Sequence, residues 1–278
     1  MHELDQYAVM GNPIAHSKSP LIHTLFAKQT GQHLEYRAIL VESGGFATAA
    51  DAFREAGGRG LNVTVPFKRD AWIYVDELSA RAERAGAVNT ILFRNDSRFG
   101  DNTDGLGLVY DLTINHKAEL KGKRILLLGA GGAARGVLQP LLAEAPAMLV
   151  IANRTAVKAA ELALLFGDLG RVFGCGYAEL PEHAFDLIIN ATAASLNDTV
   201  PPLPGSILTQ DSWCYDMMYG DKPTAFVRWA YEHGAGVALD GLGMLVEQAA
   251  ESFRLWRGVR PDTAPVIPVF RNHTPRDT

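Results

Sequence analysis

The chain contains little of what several protein classes require. Its 278 residues include two cysteines, Cys175 and Cys214, too few for a disulfide framework and not at a metal-ligand spacing. No apolar run approaches the ~20 residues that a membrane-spanning helix needs. The net charge of −5 gives no broad attraction for nucleic acid or an anionic membrane. We therefore expect no bound metal, no nucleic-acid partner and no membrane partner.

The composition is that of a folded protein. Hydrophobic residues make up 47% and charged residues 21% of the chain, which excludes wholesale disorder. At roughly 150 residues per domain, the length predicts about two domains. The first residues, Met1 to Tyr7, lack the basic and apolar regions of a signal peptide. We expect a cytoplasmic protein.

The second half of the chain reads as a doubly wound parallel sheet. Three short apolar runs, at 123–128, 148–152 and 185–189, are typical of strands buried on both faces, and helical segments separate them. Residues 237–240 predict one more strand, and residues 244–256 have helical periodicity. The polar tail from Arg271 to Thr278 is predicted to be frayed.

A glycine-rich turn follows the first of these strands and opens a helix. Gly129, Ala130, Gly131, Gly132 and Ala133 form this turn, and Ala134 stands where the dinucleotide fingerprint has its third glycine. Glycines allow a tight turn and close approach of a pyrophosphate, and the helix N-terminus favours its negative charge. Because glycine turns also occur for purely structural reasons, the flanking strand and helix are what favour a cofactor site.

The end of the second strand indicates which dinucleotide would bind. An NAD site usually carries an acid there, whereas Arg pairs with the 2′-phosphate of NADP. This chain has Asn153, Arg154 and Thr155, with Lys158 one turn further on. Two cations and no acid favour NADP, although Lys158 could equally be part of a solvated helix start.

The first hundred residues alternate strand-like and helix-like segments. Ser19-Pro20 predicts a helix start with Ser19 as N-cap and Pro20 first in the helix. The alternation over 61–66 predicts a strand with Leu61, Val63 and Val65 on one face and Asn62 and Thr64 on the other. A second helix is predicted from Phe46 to Ala56, and a strand over 87–93.

Polar residues in this first region suggest proton-transfer chemistry. Lys68 follows the 61–66 strand and Asp104 lies in Asp101-Asn-Thr-Asp-Gly105. An ammonium group can donate to a carbonyl oxygen as hydride arrives, and a carboxylate can orient it. Each residue also has a structural interpretation, because Asp104 would cap a helix and Lys68 would be a surface lysine. His16 and His23 have no partner at ligand or triad spacing.

Eight motifs in order along the chain resemble those of the shikimate dehydrogenase family. They are Gly11-Asn-Pro-Ile-Ala-His-Ser-Lys-Ser-Pro20, Asn62-Val-Thr-Val-Pro-Phe-Lys68, Gly86-Ala-Val-Asn-Thr90, Asp101-Asn-Thr-Asp-Gly105, Gly129-Ala-Gly-Gly-Ala133, Asn153-Arg-Thr155, Tyr215-Asp-Met-Met-Tyr219 and Asp240-Gly-Leu-Gly-Met244 with Gln248. The resemblance runs from about residue 7 to residue 265.

This resemblance implies NADPH-dependent reduction of 3-dehydroshikimate to shikimate, the fourth step of chorismate and aromatic amino-acid biosynthesis. It implies that Lys68 is catalytic, that Ser17 and Ser19 hold the substrate carboxylate, and that the ring hydroxyls contact Thr64, Asn89, Asp104, Tyr219 and Gln248. Cofactor contacts are implied for Gly129 to Ala133, Asn153, Arg154, Thr155 and Lys158, with Met217, Gly241 and Met244 near the nicotinamide.

The implied architecture has two domains: an α/β substrate domain of residues 1–104 plus 241–278, to which the C-terminal helices return, and a Rossmann-type NADP-binding domain of residues 105–240. Two alternatives remain open. One is a quinate/shikimate dehydrogenase paralogue with relaxed cofactor use, whose site near Ser17, Ser19 and Tyr219 would accommodate an extra hydroxyl. The other is a non-catalytic NADP-sensing protein, which would have no need of Lys68 and Asp104. Residue types do not reveal the oligomeric state, and a homodimer is left open.

Overall fold

A computed structural model describes residues 4–180 and 184–271. The chain divides into two compact units, one of Met1–Gly107 with Val246–Val266 and the other of Leu108–Leu245 with Ile267–Thr278. Both units are α/β, as predicted. Of the tail predicted to be frayed from Arg271 to Thr278, Arg271 instead ends a short helix, and residues 272–278 lie outside the described residues. Among the described residues, no helix combines the length and the apolar character that crossing a membrane requires.

The first unit contains a six-stranded mixed sheet in the order β2-β1-β3-β5-β6-β4. Its strands are β1 Asp5–Gly11, β2 Leu34–Leu40, β3 Gly58–Val63, β4 Glu77–Leu78, β5 Thr90–Phe93 and β6 Arg98–Asp101. The helices of this part of the chain are α1 Ser19–Thr30, α2 Phe46–Glu55, α3 Lys68–Tyr74, α4 Ala80–Ala85 and α5 Asp104–Tyr110, which continues into a π-helical turn at Asp111–Asn115. β1 pairs in parallel with β2 and β3, whereas β5 is antiparallel to β3 and β6.

The second unit contains an all-parallel sheet in the order β12-β11-β10-β7-β8-β9. Its strands are β7 Arg124–Leu128, β8 Met148–Ala152, β9 Val172–Cys175, β10 Leu187–Asn190, β11 Trp213–Asp216 and β12 Val237–Leu239. The remaining α-helices of residues 4–180 and 184–271 are α6 Gly132–Ala143, α7 Ala156–Phe166, α8 Ala225–Glu232, α9 Leu242–Arg257 and α10 Ile267–Arg271. The strand order reverses between β7 and β10, which is where doubly wound sheets bind ligands.

Burial explains why the second-half strands read as continuous apolar runs. Ile125, Leu126, Leu127 and Leu128 of β7 are all 0% exposed because helices cover both faces of the sheet. Burial of each such side chain stabilises the fold by roughly 1.5–3 kcal/mol.

Two local predictions in the first unit are wrong. Ser19 is the first helical residue of α1 rather than its N-cap; Lys18 takes the cap position without a side-chain bond. The Ser17 hydroxyl accepts the Ser19 N–H instead, at 3.3 Å. β3 ends at Val63, so Val65 does not share the buried face and is 60% exposed. Pro66 has no N–H with which to extend the strand.

The C-terminal region is divided between the two units. α9 contributes Val246 onward to the first unit, whereas Ile267–Arg271 groups with the second. The functional boundaries at 104/105 and 240/241 stay a prediction.

Candidate active site

In the first unit, Lys68 and Asp104 form an ion pair. Lys68 is the first residue of α3, and Asp104 is the first of α5. Lys68 Nζ donates to Asp104 Oδ2 at 2.5 Å, and their side chains are 21% and 8% exposed. Partial burial strengthens the attraction relative to a surface pair. The ammonium group is held at a fixed point yet keeps N–H groups for a further acceptor.

Asn89 completes the hydrogen bonding of the Asp104 carboxylate. It precedes β5 and is 2% exposed. Its Nδ2 donates to Asp104 Oδ1 at 2.7 Å, while Lys68 occupies the other carboxylate oxygen. Gln248 on α9 lies beside it, with its Oε1 3.3 Å from Asn89 Nδ2. Two of the predicted substrate residues, Lys68 and Asn89, therefore bond one carboxylate, and Gln248 lies against Asn89.

Ser17, Ser19 and Thr64 lie in the segments that follow β1 and β3. Ser19 is buried, and its side chain partly offsets the rise in the pKa of Tyr36 that burial causes. Thr64 packs its methyl group against Gly11: a Cβ added to Gly11 would lie 2.4 Å from Thr64 Cγ2. Glycine at position 11 is what lets these two segments approach each other.

In the second unit, the glycine turn lies between β7 and α6 as predicted. Gly129 has φ of +105°, a conformation that glycine adopts without strain, and its N–H donates to Ala152 O at 2.8 Å. A Cβ added to Gly131 or Gly132 would meet no atom within 4 Å. Packing does not require glycine at those two positions, and the open space in front of the N-terminus of α6 fits a pyrophosphate.

The predicted adenosine-phosphate residues follow β8. Asn153 Nδ2 donates to Thr155 O at 3.0 Å, which tightens the turn into α7. Arg154 and Lys158 are exposed, and the described residues place no carboxylate within 4.0 Å of either cation. The Arg154 charge lowers the pKa of Tyr177, although burial has the larger effect and raises it. Two exposed cations without acidic partners fit a phosphate group.

Met217, Gly241 and Met244 are brought together at the end of β11. Gly241 N donates to Met218 O at 2.9 Å, and a Cβ added to Gly241 would lie 2.3 Å from Met217 O. Only glycine permits this approach. Tyr219 belongs to the same unit, and burial raises the pKa of its hydroxyl.

Along most of the chain, the sequence matches models of shikimate dehydrogenase domains. Residues 9–91 match the shikimate dehydrogenase substrate binding domain, residues 111–198 the shikimate/quinate 5-dehydrogenase family and residues 241–268 the shikimate 5′-dehydrogenase C-terminal domain. The NADP(+) shikimate dehydrogenase of Alkalilimnicola ehrlichii is 59% identical over 96% of this chain and 98% of its own length. This chain belongs to the shikimate dehydrogenase family.

Further members give the same picture. The NADP(+) shikimate dehydrogenase of Methylococcus capsulatus is 59% identical over 96% of each chain. The crystal structure of the Thermus thermophilus enzyme in complex with NADP(H) and shikimate superposes with a TM-score of 0.85, at 33% identity, over 97% of this chain and 99% of that chain. The predicted fold class and family are confirmed.

Sequence reasoning missed two buried carboxylates in the second unit. Asp216 is 0% exposed and accepts hydrogen bonds from Asn190, Ser195, Thr224 and the Met218 N–H, at 2.6–3.1 Å. Burial raises its pKa, and these four bonds partly oppose that rise. Asp216 therefore anchors the segment that carries Met217 and Tyr219. The motif around residues 215–219 contained this residue without indicating its role.

Asp111, the second carboxylate, fixes the start of α9. It accepts the Tyr215 hydroxyl proton at 2.7 Å, and Tyr215 Oη accepts the Met244 N–H at 3.3 Å. A Cβ on Gly243 would lie 2.0 Å from Asp111 Oδ1, so Gly243 leaves room for the carboxylate. No local pattern in the sequence indicated this long-range contact.

Proposed function

We propose that this chain catalyses the reversible NADP-linked interconversion of 3-dehydroshikimate and shikimate, as an oxidoreductase of chorismate biosynthesis. The observation that carries the proposal is the ordered Lys68–Asp104 ion pair, in a chain 59% identical to enzymes named NADP(+) shikimate dehydrogenases. A pure NADP sensor would not need such a proton-transfer pair.

The first unit supplies the substrate contacts in this proposal. Ser17 and Ser19 donate hydroxyl hydrogen bonds to the substrate carboxylate. The ring hydroxyls are held by a larger group of side chains: Thr64, Lys68, Asn89, Asp104 and Gln248. A contact between Tyr219 and these hydroxyls stays a prediction. Short hydroxyls and amides suit a polyhydroxylated ring because they form many directional hydrogen bonds without a metal.

Lys68 handles the proton. Its ammonium group has three N–H donors, and one of them is used by Asp104, so the others remain for the substrate oxygen. In the reducing direction, the carbonyl carbon accepts hydride while its oxygen takes a proton from Lys68, leaving a neutral amine that water reprotonates. In the oxidising direction, the neutral amine accepts the hydroxyl proton. Asp104 orients Lys68 through their ion pair.

The second unit holds the cofactor. When bound, NADPH supplies the hydride. Gly129, Ala130, Gly131, Gly132 and Ala133 form the loop that holds the pyrophosphate. The Gly129 N–H is bonded to Ala152 O, so the main-chain N–H groups that follow it and the N-terminus of α6 make the contacts. Asn153, Arg154, Thr155 and Lys158 hold the adenosine phosphate, where a planar guanidinium can bind the 2′-phosphate bidentately. Met217, Gly241 and Met244 line the nicotinamide.

Three further properties belong to the same proposal. Residues 1–104 with 241–278 act as the substrate domain and residues 105–240 as the NADP domain. The enzyme works in the cytoplasm, a location that its two reduced cysteines suit. A homodimer stays a prediction, which sedimentation at several protein concentrations would test.

The deciding experiment follows reduced nicotinamide by absorbance while shikimate or quinate is offered with NADP or NAD. We expect turnover mainly with shikimate and NADP. Comparable rates with quinate or NAD would identify the chain as a shikimate/quinate paralogue and contradict the role of Arg154. NADPH binding without turnover in any of the four combinations would indicate a sensor.

A further inference from the structure

A buried polar group lies behind Asn89 and is not part of the proposed substrate contacts. It consists of Asn62, Thr90, Thr103 and Ser252, which we call the Asn89 support group. Thr90, Thr103 and Ser252 are 0% exposed and Asn62 is 6% exposed. Buried polar groups are costly unless they are hydrogen-bonded, and the members of this group bond one another.

The orientation of the Asn89 amide is fixed by the main chain. The Thr103 N–H donates to Asn89 Oδ1 at 2.9 Å. Because a main-chain N–H can only donate, the amide oxygen must face Thr103 and the amide nitrogen must face Asp104. A flipped amide would place two donors against each other and an oxygen against a carboxylate.

Thr90 donates to the same amide oxygen. Its hydroxyl lies 2.8 Å from Asn89 Oδ1, and its oxygen lies 2.7 Å from Ser252 Oγ and 3.1 Å from Asn62 Nδ2. Asn62 Nδ2 also bonds the Asn89 main-chain oxygen at 3.2 Å, which only accepts, so this nitrogen is correctly placed as a donor. Asn62 therefore donates to Thr90, whose own proton goes to Asn89.

The hydrogen bonds consequently run in one direction. Tyr36 donates to Asn62 Oδ1 at 2.7 Å, Asn62 to Thr90, Thr90 to Asn89, and Asn89 to Asp104. Each donor in such a chain polarises the next, which strengthens the last bond on the carboxylate. Because the Thr90 proton is used by Asn89, Ser252 is the donor in its 2.7 Å contact with Thr90, and it links this chain to α9.

We propose that Thr90 is a positioning residue of the active site: with Ser252 and Asn62 behind it, its hydroxyl holds the Asn89 amide so that Asp104, and through it Lys68, keeps its place. The kinetic consequence rests on the proposed function, whereas the orientation of Asn89 does not. Thr90 and Ser252 touch neither Lys68 nor Asp104 directly in the hydrogen bonds described, so their effect passes through Asn89.

The kinetic test replaces Thr90 by an isosteric residue without a hydroxyl. Thr90→Val should lower kcat/KM for shikimate between about threefold and tenfold, the effect of losing one hydrogen bond. Thr90→Ser, which keeps the hydroxyl, should stay within about twofold of the parent. In an Asn89→Ala background, Thr90→Val should have no further effect, because the residue through which it acts is gone.

Thr263→Val is the matched control for loss of a buried hydroxyl. Thr263 is 6% exposed and donates to Glu247 at 2.6 Å, outside the Asn89 support group, so kcat/KM should not change. An unchanged kcat/KM in Thr90→Val, an additive loss in the Asn89→Ala background or a failure of Thr90→Ser to restore the rate would each overturn the proposal.

A second measurement does not depend on turnover. The side-chain amide resonances of Asn89, identified by their absence in Asn89→Ala, should shift in Thr90→Val but not in Thr90→Ser or Thr263→Val. If the parent protein lacks activity with shikimate and NADP, the proposed function fails while these resonances still decide the positioning role. Unchanged Asn89 resonances in Thr90→Val would contradict it.

Discussion

The two candidate binding regions are built in opposite ways. Around Asp104, the side chains are buried and hydrogen-bonded to one another, with Asn89 2% and Asp104 6% exposed. Around the glycine turn, Gly131, Gly132, Arg154 and Lys158 are exposed, and open space lies in front of both glycines. The first region holds its geometry through its own contacts. The second region presents main-chain N–H groups and cations, for which a bound ligand would supply the hydrogen-bond acceptors and negative charges.

The difference reflects what each region has to do. Proton transfer depends on a donor held at a fixed position, which a buried hydrogen-bond network provides before substrate arrives. Binding of a pyrophosphate and a 2′-phosphate depends on charge and access, which exposed cations and a helix N-terminus provide. Substitutions in the first region should therefore alter the rate, and those in the second the affinity for NADP.

The largest effect is expected at Lys68. Lys68→Ala should lower kcat by about 10²–10⁴-fold while the KM for shikimate changes little, because the lost group acts as the acid and base. Initial rates at saturating NADP would measure this, with Lys28→Ala on α1 as an exposed-lysine control. A matching rise in KM instead would assign Lys68 to substrate positioning.

The next effect separates NADP from NAD. Arg154→Ala should raise the Kd of NADP by about 10–100-fold, as expected for a lost hydrogen bond to a charged group of ~1.5–3 kcal/mol. The Kd of NAD should not change, since NAD lacks the 2′-phosphate. Titration calorimetry with both cofactors would show this, and the exposed Arg171→Ala is the control. Equal losses for the two cofactors would contradict the phosphate contact.

A buried histidine should make the folding stability of the first unit depend on pH. His23 is 0% exposed, and burial lowers its pKa from 6.5 to about 3, because neither buried ring nitrogen has a hydrogen-bond partner among the described residues. The unfolded chain protonates His23 below about pH 6.5 while the folded chain does not, so stability is present above that pH and is lost as the pH falls toward 3. At pH 5 the loss should be about 2 kcal/mol.

Urea unfolding at pH 7.5 and pH 5 would measure this loss. His23→Leu should remove that part of the pH dependence, whatever its effect on stability at pH 7.5. An undiminished difference between the two pH values in His23→Leu would assign the acid sensitivity to other groups.

The smallest effect distinguishes two glycines of the same turn. Gly131→Ala should leave the melting temperature nearly unchanged, because its Cβ meets no protein atom, yet raise the Kd of NADP about threefold to tenfold. Gly129→Ala should also lower stability, by about 1–3 kcal/mol, because φ at Gly129 is +105°. Thermal melts with and without NADP would compare them, and a stability loss at Gly131 equal to that at Gly129 would refute the distinction.

Local pattern was sufficient for much of the second unit. The apolar run of β7, the glycine turn and the start of α6 form one contiguous segment whose burial and turn geometry are local properties. The short strands β4, β6, β9 and β11 were not predicted, because two to four residues carry too little periodicity. β2 was missed although it has seven residues: Tyr36 is its one buried residue, so β2 lacks the continuous apolar run of the strands in the second unit.

In the candidate site, too, local motifs predicted which residues take part but not the contacts between them. The motifs singled out Lys68, Asn89 and Asp104 as site residues. That the three side chains bond one another depends on tertiary structure, which brings α3, α5 and the residue before β5 together. Ser252 was missed, although it lies four residues after Gln248 on one face of α9, a spacing that could have suggested it. The Ser19 prediction was wrong because Ser17, two residues earlier, accepts the N–H instead.

Backbone hydrogen exchange with and without NADP tests the contrast between the two regions most directly. We expect the Thr103 amide, bonded to Asn89 Oδ1, and the Asn89 amide, bonded to Asp101 O, to exchange slowly without any ligand. We also expect NADP to slow exchange in residues 129–134 and 153–158. Rapid exchange at Asn89 and Thr103 in the free protein, with no protection of 129–134 by NADP, would contradict this contrast.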